Sequence, residues 1–312
     1  YDNYGNKEEF NLFAKFQHTF NENLYAFVDL QNRNINYDAE LIGGNNINKS
    51  FNFFNPKAGL YYKLNSNNEF YFSFARAHRE PTRTDYENGN PFPEMLDDFE
   101  LGWKYKGKKS IYNINLYFMD YNDQLVLTGE RDDVGYYIRA NVGESYRAGI
   151  EFDGIFFIDD YFTIKPNITF SSNKNSDYLT QFDGSLRNFG KTDISFSPNL
   201  IFGNSVEYNL NSKTLLFFNT KYVGKQYMSN TNVESSVLAS YLVNDLGLNY
   251  NFSIPGFSQD SEFKLLVNNL LNQKYESYGG HYFYDIDNKT YSGSYFYPMA
   301  EINFLLGLDV NF

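Results

Sequence analysis

Apolar and polar residues alternate along most of this chain, and this period of two constrains its fold more than any other feature. In the last run, one phase is wholly apolar and consists of Ile302, Phe304, Leu306, Leu308, Val310 and Phe312. Such alternation is typical of a β-strand with one face in an apolar environment. It continues to the final residue, although chain ends are usually polar and frayed. We therefore expect the last strand to pack against an apolar phase.

The same alternation recurs in thirteen runs. The first two, at 10–20 and 24–33, flank the polar turn 21–23 and predict a hairpin. The others cover residues 51–64, 69–79, 98–106, 110–125, 136–157, 161–174, 193–210, 213–228, 241–252, 261–276 and 295–312. Many of them reach ten residues, which is long for a soluble sheet and sufficient for a tilted strand to cross a bilayer. The sequence predicts an all-β chain.

Composition excludes several other classes of protein. The 312 residues include 29 Tyr, 32 Phe, one Trp and no Cys, with a formal charge of −12. No run approaches the roughly 18 apolar residues of a membrane-spanning helix. The aromatic content argues against disorder, and the net acidity argues against a nucleic-acid partner.

The connections between runs are of two lengths that alternate strictly. Short turns lie at 21–23, 65–68, 106–109, 158–160, 211–212 and 253–260. Long connections lie at 38–50, 80–97, 126–135, 175–192, 229–240 and 277–294. Tight turns on one rim and long loops on the other are typical of a bacterial outer-membrane barrel. We therefore predict a transmembrane antiparallel β-barrel rather than a soluble sandwich.

Charged residues support this membrane orientation. On the most strongly alternating faces, such as Phe70, Phe72 and Phe74, no carboxylate or amine occurs, whereas Asp29, Lys57, Lys104, Glu151, Asp153, Lys221 and Asp245 fall on the opposite phase. An Arg or Lys facing lipid at mid-bilayer costs about 2–4 kcal/mol. The alternative of a β-sandwich core does not account for the alternating connections.

The number of strands indicates an incomplete barrel. Single-chain bacterial barrels have an even number of strands with both ends in the periplasm. With thirteen strands, the first would begin outside the cell and leave its backbone groups unpaired in lipid. We expect residues 1–312 to be the C-terminal portion of a larger barrel.

Several segments, in order, resemble the second half of TonB-dependent outer-membrane receptors. They include "FARAHREPTRTDYE" (74–87), "FELGWKY" (99–105), "NVGESYRAGIEFDG" (141–154), "LVNDLGLNY" (242–250) and "VNNLLNQKYESYG" (267–279). The resemblance covers about residues 70–312, and the Asn- and Lys-rich sequence suggests a Bacteroidota-like relative. It implies about the last thirteen strands of a 22-stranded barrel, whose plug domain and TonB box are absent from this chain.

The resemblance also implies partners and a location in the bacterial outer membrane. Expected partners are outer-membrane lipid and lipopolysaccharide, the rest of the barrel and its plug, the TonB–ExbB–ExbD system through that plug, and the barrel-assembly machinery. No cofactor, resident metal or nucleic acid is expected. The terminal residues Phe304, Leu306, Leu308, Val310 and Phe312 resemble the signal that the assembly machinery recognises.

The expected function is active import of a bulky, scarce nutrient, with a ferric siderophore or another iron complex as the first hypothesis. A glycan or peptide importer of the SusC type, which works with a surface lipoprotein, is a second. A passive porin, or a barrel in an envelope complex, is a third. An enzyme is not expected, since the chain has no Cys, three His and no Gly-rich phosphate loop after a strand.

Two groups of residues are candidates for ligand binding. Arg76, Arg79 and Arg83, with Tyr86, could cradle an anionic chelate, or else pair with acids such as Glu80 and Asp85. His281, Tyr282 and Tyr284 lie in the last long loop and could stack on an organic ligand, or simply pack within the loop.

Overall fold

The computed structural model describes residues 4–41, 46–131, 137–183, 185–256 and 258–311. Its strands are β1 (Gly5–Asn21), β2 (Leu24–Glu40), β3 (Asn46–Lys63), β4 (Asn68–Arg79), β5 (Glu94–Lys106), β6 (Ser110–Asn122), β7 (Leu125–Arg131), β8 (Tyr137–Asn141), β9 (Glu144–Phe157), β10 (Phe162–Asn175), β11 (Leu179–Phe182), β12 (Ser185–Asn188), β13 (Thr192–Asp193), β14 (Leu200–Asn211), β15 (Thr214–Val223), β16 (Gln226–Tyr227), β17 (Val237–Leu238), β18 (Tyr241–Ile254), β19 (Ser258–Asn268), β20 (Glu276–Ile286), β21 (Lys289–Pro298) and β22 (Asn303–Asn311). A short helix α1 (Arg83–Glu87) and a 3₁₀ turn (Glu234–Ser236) complete the elements.

Thirteen of these strands form one continuous sheet, which we call the wall. Its order is β1, β2, β3, β4, β5, β6, β9, β10, β14, β15, β18, β19 and β22, with every neighbouring pair antiparallel, and the two-residue β13 pairs with the end of β10. The predicted thirteen strands and their six short turns are confirmed. Among the described residues, β1 and β22 are the two edges of the wall.

One face of the wall is a continuous apolar belt. Register aligns its side chains in rows that cross the strands, such as Ala26, Leu60, Phe72, Leu101, Leu116, Ile150, Phe170 and Leu200. A second row consists of Val206, Phe218, Leu246, Val267 and Phe304. Many of these side chains are exposed, Leu101 to 51% and Phe304 to 67%. Such a surface requires an apolar solvent.

The opposite face of the wall is polar, and we call it the lumen face. All seven charged residues that the alternation assigned to this phase lie on it. Cross-strand ion pairs join Lys165 to Glu207 and Lys264 to Asp309, each at 2.5 Å. The two faces therefore differ as those of a membrane barrel do.

No second layer covers the apolar belt within the described residues. The buried apolar residues of the molecule lie largely toward the long loops, in one cluster around Val126, Val142 and Tyr178 and another around Ile47 and Tyr86. The described residues therefore lack the core between two sheets that the sandwich alternative needs. In the described part of the chain, no helix is long and apolar enough to span a bilayer.

The long connections contain hairpins of their own, at β7–β8, β11–β12, β16–β17 and β20–β21. The β20–β21 hairpin turns at Asp287 and Asn288, which both have positive φ, at 50° and 59°. This matches a two-residue type I′ turn, for which Asp and Asn are favoured. The segment "DN" within 277–294 is therefore a hairpin signal in the sequence, although that stretch was predicted to be a long loop.

These hairpins contact one another at the long-loop end. The side-chain amide of Asn230, which is fully buried, donates to the Leu127 carbonyl at 2.7 Å, and Asn175 donates to the Asn230 side chain at 3.3 Å. Asp183 and Thr290 exchange two bonds: each backbone N–H donates to the other side chain, at 2.7 and 2.8 Å. The loops thus form one packed assembly, which we call the loop cap.

Several predicted runs prove to be two elements each. The run at 136–157 breaks at Gly143, which has a φ of 69°, and the run at 213–228 breaks after Val223. The run at 193–210 breaks before Leu200, because residues 194–199 leave the sheet around Pro198. In each case the wall strand is shorter than its apolar pattern, and the remainder belongs to the loop cap.

Candidate ligand-binding surface

The three arginines predicted to form an anion cradle do not converge in the structure. Each guanidinium pairs with its own carboxylate: Arg76 with Asp97 at 2.5 Å, Arg79 with Glu94 at 3.0 Å and Arg83 with Glu87 at 3.0 Å. The partners differ from Glu80 and Asp85, since Glu80 pairs with Lys7 and Arg33, and Asp85 accepts hydrogen bonds from Thr82.

Strand geometry separates the first two arginines. Arg76 is opposite Asp97 and shares the phase of Phe74, so it lies on the outer face just beyond the apolar belt. Arg79 is opposite Glu94 on the lumen face and is 52% exposed at its side chain. A single ligand cannot contact both side chains across the wall.

Tyr86 lies inside the protein rather than at a surface. It is 7% exposed, packs with Ala39 and Ile47, and its hydroxyl lacks a hydrogen-bond partner among the described residues. Burial raises the pKa of Tyr86 to about 12. Its position indicates a structural anchor for α1.

The β20–β21 hairpin, which we call the tyrosine hairpin, has two different faces. His281 and Phe283 are on the face that packs into the loop cap, and His281 is 1% exposed. The other face carries six tyrosines: Tyr278, Tyr282, Tyr284, Tyr291, Tyr295 and Tyr297. Ring centroids of Tyr284 and Tyr291 are 5.6 Å apart, and those of Tyr282 and Tyr284 are 6.3 Å apart. Of the three predicted residues, Tyr282 and Tyr284 can therefore contact a ligand, whereas His281 is buried on the other face.

Sequence reasoning missed a pocket on the lumen face of about 300 Å³, of the size that binds small molecules. Its lining residues come from β5, β6, β9, β10 and β14 and from the segment 194–199. Arg147 lies in it and donates a hydrogen bond to the Ser197 hydroxyl at 2.9 Å. In the described part of the chain, Arg147 forms no ion pair, although Glu100 and Glu151 line the same pocket.

The segment 194–199 folds over this pocket and holds Phe196 in a strained conformation. Phe196 has a φ of 54°, which is rare for a bulky residue and marks stored strain of about 1–3 kcal/mol. Its backbone N–H donates to the Tyr227 carbonyl at 2.7 Å, and the Ser171 hydroxyl donates to the Pro198 carbonyl at 3.1 Å. Loop and wall contacts together maintain the strain.

Phe196 connects the pocket to the tyrosine hairpin. It lines the pocket and its ring stacks on Tyr278 with centroids 5.6 Å apart. Tyr278 stacks in turn on Tyr297 at 5.8 Å. An aromatic path therefore runs from the outer loops to a guanidinium in the lumen.

The described residues of the predicted assembly signal belong to the edge strand β22. Phe304, Leu306 and Leu308 project from the apolar face of the edge strand β22 and are 63–67% exposed, and Val310 shares their phase. Phe312 lies outside the described residues. Within the described residues, no group of three His, Asp or Glu side chains is arranged to hold a metal ion.

Comparisons with known proteins agree with this architecture. A family model described as "TonB dependent receptor-like, beta-barrel" matches residues 1–270. No curated protein matches the chain at a significant level.

Solved structures resemble the chain in fold. The closed form of the ferric-catecholate import receptor Fiu from K12 E. coli is 19% identical with a TM-score of 0.69, over 99% of this chain and 45% of Fiu. The siderophore receptor PiuA from Acinetobacter baumannii is 16% identical with a TM-score of 0.77, over 97% of this chain and 43% of PiuA. The unliganded ferric citrate transporter FecA is 17% identical with a TM-score of 0.76, over 97% of this chain and 45% of FecA. The chain thus spans less than half the length of these structural relatives.

Proposed function

Because this chain belongs to the family of TonB-dependent receptor β-barrels, we propose that it forms part of a transporter that imports a bulky anionic iron complex. The family places it in the outer membrane of a Gram-negative bacterium and makes it a receptor barrel rather than an enzyme. Energy for transport would come from the TonB–ExbB–ExbD system acting on a plug within the barrel.

The proposal rests on the guanidinium of Arg147, which forms no ion pair with any described carboxylate. Arg33, Arg76, Arg79 and Arg83 all pair with carboxylates, whereas Arg147 contacts a neutral hydroxyl at the entrance to the lumen. An arginine without a fixed carboxylate can bind the anionic oxygens of a ligand through two parallel hydrogen bonds.

The aromatic path supplies the second half of the recognition. Tyr278 and Tyr297 stack beside Phe196, and Tyr282 and Tyr284 extend the tyrosine face outward. Planar organic groups, which many iron chelators carry, stack favourably on such rings. The structural relatives described above as siderophore and ferric citrate receptors are in accord with an iron complex.

Of the residues predicted from sequence, we retain Tyr282 and Tyr284 as ligand contacts, with Arg79 as a lumen-facing residue near the upper rim. Arg76, Arg83, Tyr86 and His281 have fixed partners or are buried, so we assign them structural roles. We also propose that the apolar face of β22 is read by the barrel-assembly machinery.

A glycan importer is the second candidate, and the tyrosine face favours it. Exposed tyrosines in a row can stack on sugar rings as well as on aromatic chelators. A transporter of this class would work with a surface lipoprotein, and it would not depend on a guanidinium in the lumen when the glycan is neutral.

The test compares Arg147→Ala with Arg76→Ala in the full-length protein, using binding of ferric catecholate and ferric citrate complexes. Removing a charge-assisted contact is expected to weaken binding about 10- to 100-fold in Arg147→Ala. Arg76→Ala, on the outer face, should change affinity less than about twofold. Equal affinity of Arg147→Ala and wild type, or binding of a neutral oligosaccharide alone, would reject the iron-complex proposal.

A further inference from the structure

His281 is an unusual residue for an outermost loop, because its imidazole is fully enclosed. It is 1% exposed, and its ring meets that of Phe283 edge to face, with the two ring centroids 4.7 Å apart. Its Nδ1 is 2.7 Å from the hydroxyl of Ser294, while its Nε2 is buried with no hydrogen-bond partner among the described residues.

The hydrogen-bond chain fixes the protonation of this imidazole. The hydroxyl of Ser294 donates its single proton to the carbonyl of Ser235 at 2.5 Å, so it accepts from Nδ1–H of His281. Nε2 then carries the lone pair. A proton added there would place a positive charge in an enclosed site without an acceptor, which is costly.

This chain of bonds joins two separate loops. His281 and Ser294 are cross-strand partners in the tyrosine hairpin, and Ser235 belongs to the 3₁₀ turn of the 226–238 loop. The 3₁₀ turn, β17 and β7 pack against the hairpin at this point. The β11–β12 hairpin also reaches it, because the Phe182 ring contacts that of Phe283 and Asp183 exchanges hydrogen bonds with Thr290. The imidazole is therefore at the junction where the hairpin docks.

Among the described side chains, no charge offsets a positive imidazole at the junction. The charged residues on the strands of the tyrosine hairpin are Glu276, Asp285 and Lys289, and the 3₁₀ turn carries Glu234. The β11–β12 hairpin carries Asp183 and Arg187, β17 carries none, and β7 ends in Glu130 and Arg131. The side chains of Asp285, Glu130 and Arg131 lie outside the described residues. Burial alone lowers the pKa of His281, without a contribution from any of the described charges.

Docking of this face determines where the opposite face lies. Tyr282 and Tyr284 project away from His281 on the same strand, and Tyr278 reaches Phe196 at the pocket. Movement of the hairpin away from the 226–238 loop would separate Tyr278 from Phe196 and break the aromatic path.

We propose that His281 is a positioning residue: its neutral imidazole holds the tyrosine hairpin against the 226–238 loop, and protonation releases the hairpin and weakens ligand binding. The docking part stands on the geometry of His281, Ser294 and Ser235, whereas the effect on binding rests on the proposed function.

The direction of the pH response follows from the lowered pKa of docked His281. A free hairpin would have an ordinary histidine pKa of about 6.5. Docking is therefore at full strength above about pH 6.5 and is lost as the pH falls below it. The docking constant should fall about tenfold per pH unit until the docked pKa is reached.

Spin labels test the docking directly, since residues 1–312 contain no Cys; any Cys elsewhere in the full-length protein is replaced by Ser. Lys289→Cys at the hairpin tip and Lys225→Cys on the wall side give one distance, measured in the full-length protein in lipid nanodiscs. Wild type should show a single distance at pH 7.5 and an additional longer one at pH 5. His281→Asn keeps a donor for Ser294 but does not titrate, so it should keep the pH 7.5 distance at both pH values.

A matched control is His18→Asn, which changes an exposed histidine near the short turns and should respond to pH as wild type does. If His281→Asn does not fold, His281→Gln serves the same purpose. An unchanged wild-type distance at pH 5, or a pH shift that persists in both His281 variants, overturns the proposal.

Binding of the ferric complexes at the two pH values separates the two proposals. Weaker binding at pH 5 in wild type but not in His281→Asn supports the positioning role. A pH-dependent distance with a pH-independent affinity overturns that role. A pH-dependent distance in a protein that binds no ferric complex at either pH supports docking control by His281 and rejects the proposed function.

Discussion

The ring of Tyr71 lies directly over Gly102 on the lumen face of the wall. The two residues are opposite each other on β4 and β5, and a Cβ at Gly102 would lie 1.9 Å from Cε1 of Tyr71. The Tyr71 hydroxyl donates to Asn115 at 3.0 Å, one strand further on. An aromatic ring over a glycine thus fastens three neighbouring strands.

Replacing this glycine should destabilise the barrel. Gly102→Ala forces Tyr71 away from its site and from Asn115, with an expected loss of about 1–3 kcal/mol in the free energy of unfolding. Urea unfolding in lipid vesicles, followed by the fluorescence of Trp103, measures it. Gly307→Ala is the control, because its Cβ would meet Lys264 at an ordinary 3.5 Å. Equal stability of the two variants would contradict the role of Tyr71.

A charge on the apolar belt should be much more costly than one on the lumen face. Leu101→Arg places a guanidinium between Phe72 and Leu116, with an expected cost of about 2–4 kcal/mol. Asn219→Arg, on the lumen face opposite Asp245, is expected to cost less than about 1 kcal/mol. The same urea titration compares them, and a similar cost at both sites would mean that the belt does not face lipid.

The strain at Phe196 should serve binding rather than stability. Glycine adopts positive φ freely, so Phe196→Gly relieves about 1–3 kcal/mol of strain while losing a stack worth about 0.5–1.5 kcal/mol. We expect unfolding to change by less than about 1.5 kcal/mol. Affinity for the ferric complex should nevertheless fall about tenfold, because Tyr278 loses its contact with the pocket. An unchanged affinity would remove Phe196 from the binding surface.

Tyr86 predicts a pH dependence in the alkaline range. Its pKa is about 12 in the folded protein against 10.0 ordinarily, so its contribution to stability is complete below pH 10 and is lost between pH 10 and about 12. Tyr86→Phe lacks this titration and removes a hydroxyl without a described partner. The variant should match or exceed wild type at pH 9, and its advantage should grow at pH 11 in the same unfolding assay. A constant difference at the two pH values would contradict this assignment.

The wall could be predicted from the sequence because lipid acts on each side chain separately. A charge on the lipid-facing phase is unfavourable in any strand, so the outward orientation of Phe72, Leu101 and Leu116 can be predicted from each run by itself. The loop cap could not be predicted in this way. Its contacts join distant segments, as Asn230 does with Leu127 and Asp183 with Thr290, and no local pattern records such pairs.

The binding surface was only partly predictable, and one error was avoidable. Arg76 and Arg79 are three residues apart in a strand, so period two already places them on opposite faces. The same rule puts Arg147 on the lumen phase with Glu151. The sequence does not reveal, however, that residues 194–199 fold over the pocket. Because of this fold, the Arg147 guanidinium contacts Ser197 rather than a described carboxylate.

The paired bonds between Asp183 and Thr290 have a consequence for how the outer loops can change over generations. Each residue supplies both a backbone donor and a side-chain acceptor to the other, so a substitution of one side chain leaves the N–H of the other residue without its acceptor, and a length change in either tip breaks both bonds. We expect surface variants selected by phage or antibodies to alter both tips together, or to leave both intact.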